Sequence, residues 1–129
     1  MSPFSILLKR LRLSRGYRQK TLAHHLGYEA SYLSAIERSE KGPPRQDFIQ
    51  RLIKGLELNE DEKQELFNAL NASRRQFSLP ANASAEEYAL IRKLEVQLGK
   101  LQPLPIQMIE MALKFQESLT GSNQQPSEN

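Results

Sequence analysis

Cysteine is absent from the 129 residues. That excludes disulfide bridges and thiolate metal sites and fits a reducing, cytoplasmic setting. No apolar run approaches the roughly 20 residues that a membrane-spanning helix requires. The opening "MSPFSILLKRLRLSRG" holds only a few apolar residues before basic ones, which is not the build of a secretory signal. There is no internal repeat, glycine-rich phosphate loop, nucleophile elbow or pair of carboxylates in a pocket-like context, so the sequence predicts no enzyme. His24 and His25 are adjacent, fall on different helix faces and have no partner at metal-ligand spacing. They are expected at the surface or facing phosphate, and neither a metal nor a cofactor is expected.

What is present is a globular composition, 39% hydrophobic and 26% charged, with an uneven distribution of charge. Residues 1–45 carry nine Lys or Arg (Lys9, Arg10, Arg12, Arg15, Arg18, Lys20, Arg38, Lys41, Arg45) against three acids (Glu29, Glu37, Glu40). Residues 46–129 carry nine against twelve. A basic third of this kind suits a polyanionic partner.

Helical periodicity runs through most of the chain. Ser2-Pro3 is a helix start, a capping serine followed by a proline that loses nothing at the first position. Phe4, Leu7, Leu8 and Leu11 follow on one face. A second helix is predicted from about Arg18 to Leu26, stopped by Gly27, and a third from about Glu29 to Arg38 with Leu33 and Ile36 inward. A fourth, about Arg45 to Leu56, turns Phe48, Ile49, Leu52 and Ile53 inward. Asn59 and Glu62 form a capping box before a fifth helix that carries Leu66, Phe67 and Leu70 and extends towards Arg75. These five make a compact all-α domain over residues 1–78.

"SLPANAS" is a linker by composition. Beyond it Ser84 and Glu87 form another capping box. The next helix spaces Tyr88, Ile91, Leu94, Leu98 and Leu101 close to a heptad seam. A final helix from about Pro105 has a wide apolar band. Residues 79–120 are therefore expected to be a two-helix element, and 121–129 a disordered tail.

The second and third helices are too short and too close to bury their apolar faces except against each other and a third element. A short helix, a turn with glycine and a second short helix is the plan of a unit that lays its second helix in the DNA major groove. Ala23 is small where the two would cross, and Gly27 makes the turn. Arg12, Gln19, Leu22-Ala23, Gly27, Leu33-Ser34, Ile36-Glu37-Arg38 and Pro43 then follow in an order and spacing that resembles the Xre-type, or lambdoid phage repressor and Cro, helix-turn-helix regulators. The resemblance covers roughly residues 5 to 70.

That resemblance implies roles. Gln19 matches a glutamine that contacts backbone phosphate, where helix N-terminal amides also help, and Arg18 lies beside it. Ala30, Ser31, Tyr32 and Ala35 fall where the family reads base edges, and Arg38 and Lys41 where the following loop meets phosphates. Arg12 and Glu37 match an internal salt bridge. There are three departures. Glu29 replaces the usual capping Ser or Thr, Ser39 replaces a glycine, and the base-facing set holds no Arg, Gln or Asn. Alanine can meet a thymine methyl and serine can bond several bases, while DNA shape, Arg10 and Arg18 are further sources of specificity.

The resemblance also implies double-stranded DNA as partner and a homodimer, of bacterial or phage type. The apolar positions of the last two helices, Ile91, Leu94, Leu98, Ile106, Ile109 and Leu113, are the expected dimerisation contacts. Residues 79–129 are too few and too helical for the self-cleaving domain of larger family repressors. The expectation is a cytoplasmic, dimeric, sequence-specific transcriptional regulator, a repressor on an inverted repeat. The alternative is a module that binds a partner protein, as antitoxin-like members do.

Overall fold

The structure, a computed structural model, describes the backbone of residues 1–42 and 44–124 and side chains as far as Gly121. Pro43, one position of the resemblance, and residues 125–129 of the expected tail lie outside the described residues. Seven helices and no strand are present among the described residues: α1 (Pro3–Ser14), α2 (Gln19–Leu26), α3 (Ala30–Glu37), α4 (Gln46–Gly55), α5 (Glu60–Ala72), α6 (Ala85–Gln97) and α7 (Pro103–Gln124). They divide into two compact units, Met1–Ser78 and Leu79–Asn129.

In the first unit α1 packs on α5 and α3, and α2 on α3 and α4. Leu8 of α1, Leu22 of α2, Leu33 of α3, Leu52 of α4 and Leu66 of α5 meet with no exposed surface. Each is a position that helical periodicity turns inward. Between α2 and α4 the approach is close: a Cβ added at Gly55 would stand 2.4 Å from Leu26 Cδ2. Gly27 takes φ 86° and ends α2, a conformation glycine adopts at little cost.

The helix ends follow local chemistry. Ser2 Oγ accepts from Ser5 N at 3.1 Å, and Pro3 occupies the first turn. Both capping boxes form: Asn59 Oδ1 accepts from Glu62 N at 2.8 Å, and Ser84 Oγ from Glu87 N at 3.1 Å. The fifth helix stops at Ala72, short of Arg75. Ser73 draws the chain aside there, donating to Ala69 O at 2.6 Å and accepting from Phe4 N at 2.9 Å. Of the apolar residues that this helix carries, Phe67 is 40% exposed. It lies about 100° round the helix from Leu66, and Leu66 takes the place in the core.

In the second unit, α6 closes at Gln97 and α7 starts at Pro103, two residues earlier than expected. It runs to Gln124, so residues 121–124 are helical rather than part of a tail. None of the side chains described from 79 to 121 is fully buried.

Candidate nucleic-acid interface

The pair α2 and α3 is locked from beneath. Leu22, Ala23 and Leu26 of α2 and Leu33 and Ile36 of α3 are buried in one cluster. Below that pair, Arg12 Nε donates to Glu37 Oε2 at 2.7 Å and Arg12 Nη2 to Glu37 Oε1 at 3.0 Å. A third bond, Arg12 Nη1 to Tyr17 O at 3.0 Å, reaches the chain entering α2. Both charged side chains are buried. The pair thus joins α1, the start of α2 and the end of α3, and it faces inward.

Gln19 belongs to the same network, which the sequence pattern did not show. Its Nε2 donates to Glu37 Oε1 at 3.1 Å. The side chain is half-buried, and it shares the wall of an open depression with Lys9, Arg38 and Glu40. With one amide N–H tied to Glu37, the second amide N–H, the amide oxygen and the backbone N–H at the start of α2 are what Gln19 has left to offer.

On α3, Ser31 is exposed, and Ala30 and Tyr32 are half-buried. Ala35 is only 8% exposed, so of the four positions expected to face bases it presents the least surface. Tyr32 stacks on Tyr28 with ring centres 5.1 Å apart and meets Phe48 edge-on at 5.8 Å. Lys41 Nζ lies 5.6 Å from the Tyr32 ring centre, and the Arg51 guanidinium lies 5.1 Å from that of Tyr28. Burial pushes the Tyr28 phenol up, against the pull of the Arg51 charge. These two tyrosines thus form a rigid, half-covered aromatic pair at the head of α3, flanked by cations. Stacking of this kind is worth about 1 kcal/mol.

The charges sort by partner. Arg10 bonds Glu65, Arg15 grips Glu62 with both terminal nitrogens, and Arg38 bonds Glu40 and Ser34. The bond to Arg38 holds the Glu40 carboxyl below its ordinary value and raises that of the guanidinium. Arg18, Lys20, Lys41 and Arg45 make no ion pair among the described residues. Arg18 and Arg45 are the N-cap residues of α2 and α4, and Glu29 that of α3; none makes a side-chain capping bond. The helices α1, α5 and α6 do have one, from Ser2, Asn59 and Ser84.

Ser39, where the resemblance has glycine, takes the left-handed conformation itself, at φ 60°. Its Oγ accepts from Ser2 N at 2.8 Å and shares a 2.8 Å hydrogen bond with Ser5 Oγ. The loop after α3 thereby keeps the backbone turn that glycine would give. His25 is exposed but engaged: it stacks on Tyr17 at 5.5 Å, with Nε2 3.1 Å from Gly55 O. His24 is exposed.

Residues 3–66 match the family model described as a helix-turn-helix domain. The N-terminal unit is a helix-turn-helix domain. Such a domain points to a DNA-binding regulator, and its two defining helices are α2 and α3. No curated protein and no solved structure matches the chain. Among the described residues no helix is long and apolar enough to cross a membrane, and no group of three or more His, Asp or Glu is placed to hold a metal ion.

Proposed function

We propose that the chain is a sequence-specific transcriptional regulator of the Xre type, a repressor that binds an inverted-repeat operator as a homodimer. The observation that carries this reading is a set of uncapped helix starts with cations beside them in the helix-turn-helix domain. The helices α2, α3 and α4 begin at residues that give them no side-chain cap, and Arg18, Lys20, Lys41 and Arg45, at or near those ends, make no ion pair among the described residues. Open helix N-termini and unpaired cations together suit phosphate oxygens.

In this mechanism α3 enters the major groove and Ser31, Ala30 and Tyr32 meet base edges. Ala35 contributes at most a methyl edge. Arg18, Gln19, Arg38 and Lys41 hold phosphates, and Arg12 and Glu37 stay inside as the brace. Two copies read successive major grooves about 34 Å apart, and occupancy of a promoter represses it. One recognition helix spans too few base pairs to single out a gene, which is why a dimer belongs to the mechanism.

The test is selection from random duplex DNA by the full-length protein near physiological salt. Enrichment of an inverted repeat is the expected result. Salt-sensitive binding with no enriched sequence would overturn the reading and leave a protein partner as the object of this fold.

A further inference from the structure

Ser5, Lys9 and Arg12 follow one another along α1 at spacings of four and three, so their side chains share a face. The first and last of them are anchors. Ser5 Oγ shares a 2.8 Å hydrogen bond with Ser39 Oγ, and Arg12 Nε donates to Glu37 Oε2 at 2.7 Å. Glu37 closes α3 and Ser39 follows in the loop behind it, so this face of α1 is tied at two points to the end of α3. Lys9 falls between the two ties. It is exposed and makes no ion pair among the described residues.

Arg10, the neighbouring base, does not share that place. One residue turns a helix by about 100°, and Arg10 bonds Glu65 of α5 instead. Arg15, at the end of α1, is likewise held by Glu62 of α5. The basic residues of α1 thus divide by face. Two are matched by acids of α5, Arg12 is buried with Glu37, and Lys9 is left exposed without an acid.

Lys9 lines one depression with Gln19, Arg38 and Glu40, and the Arg12–Glu37 pair lines it too. At about 520 Å³ it has room for a phosphate with its waters, each water filling roughly 30 Å³. Arg12 is matched there by Glu37, and Arg38 by Glu40. Among the side chains of the depression, Lys9 therefore supplies the net positive charge. Gln19 adds the amide N–H that Glu37 does not take.

We infer that Lys9 is a phosphate ligand: with the Gln19 amide it seats one phosphodiester of bound duplex DNA in this depression, so that α1 is held to the backbone along with α2 and α3. The inference rests on the reading of the chain as a DNA-binding regulator. It adds a contact from α1, a helix to which that reading gives only the buried Arg12.

The chemistry of the depression favours a backbone phosphate. An ammonium and an amide N–H both donate, and a phosphodiester oxygen only accepts, with one negative charge to meet the one positive. A lysine serves phosphate as a point charge and needs no fixed geometry, so the contact carries no preference for sequence. Arg38 can join the seat only by leaving Glu40, whereas Lys9 has no partner to leave.

Titration of the full-length protein with duplexes of several sequences, each at three salt concentrations, tests this. The variants are Lys9→Ala, Lys9→Arg and, as a control for charge alone, Lys54→Ala in the last turn of α4. Lys9 and Lys54 are both exposed, so urea midpoints are expected to stay unchanged. Lys9→Ala is expected to lower affinity roughly three- to ten-fold at low salt, alike on every duplex, and to reduce the salt slope by about one. Lys9→Arg is expected to keep both, and Lys54→Ala to keep the slope. Unchanged affinity and slope in Lys9→Ala overturn the inference. So does an equal loss in Lys54→Ala, which makes the effect one of net charge, or a loss on one sequence only, which places Lys9 on a base. A seat for the free ion would show as protection against urea by millimolar inorganic phosphate, absent in Lys9→Ala, with DNA affinity untouched, and that too overturns it. A wild type that binds no duplex refutes the inference and the regulator reading together. If random-duplex selection enriches nothing while Lys9→Ala still flattens the slope, the seat stands and the sequence-specific reading falls.

Discussion

Glu37 Oε1 accepts from two donors at once, Arg12 Nη2 at 3.0 Å and Gln19 Nε2 at 3.1 Å. A buried carboxylate at the end of α3 therefore fixes both the arginine beneath it and the glutamine at the start of α2. The residue expected to touch phosphate and the residues expected to be structural share one network.

Removing the arginine leaves a buried, uncompensated carboxylate. Arg12→Ala is expected to destabilise the helix-turn-helix domain by about 3–5 kcal/mol, measured by urea denaturation. Weaker DNA binding by this variant should follow the unfolded fraction. A stable Arg12→Ala protein with lost binding would show that Arg12 faces DNA.

The Arg38–Glu40 pair is exposed and beside the depression that Gln19 lines. Glu40→Gln frees the guanidinium and removes one negative charge, so affinity for all duplexes should rise roughly two- to five-fold at low salt. Arg38→Ala should do the reverse and reduce the salt slope by about one. Titrations of both variants at three salt concentrations decide it.

Ser39 combines a left-handed backbone with hydroxyl bonds to Ser2 and Ser5. Ser39→Ala loses the bonds and keeps the backbone cost, while Ser39→Gly loses the bonds and removes that cost. Ser39→Gly should therefore be the more stable of the two by about 1 kcal/mol, and both should unfold below the wild type in a thermal scan.

Glu62 is held by both terminal nitrogens of Arg15, at 2.6 and 2.7 Å, and by its capping box. The bond to Arg15, foremost, lowers its carboxyl from an ordinary 4.5 to about 2. A depressed folded value means that the unfolded chain binds the proton more readily, so the stabilisation is present above pH 4.5 and lost as pH falls towards 2. Glu62→Gln should flatten the decline in stability over that window, read by urea midpoints at successive pH values.

Much of this fold was legible because its helices are amphipathic and punctuated. Ser2-Pro3, Gly27 and two capping boxes mark the helix ends, and the inward leucines of the first unit are those of the 3.6-residue period. What stayed illegible lies where a local pattern names a face but not its cover. Leu66 and Phe67 are adjacent apolar positions, and only the packing of α1 on α5 decides which one is buried. Ala35 and the exposed positions of α3 sit on a helix of eight residues, where one turn of difference separates surface from core. The tie between Gln19 and Glu37 spans residues far apart in the chain, and no local pattern records it.

The most direct measurement is the random-duplex selection run side by side on the wild type and on Ser31→Arg, the exposed position at the head of α3. If α3 reads bases, the wild type enriches an inverted repeat. The variant then keeps the half-site spacing and changes its preferred base at one position in each half-site, towards guanine. An identical motif for both proteins, or none for either, would contradict the placement of α3 in the major groove.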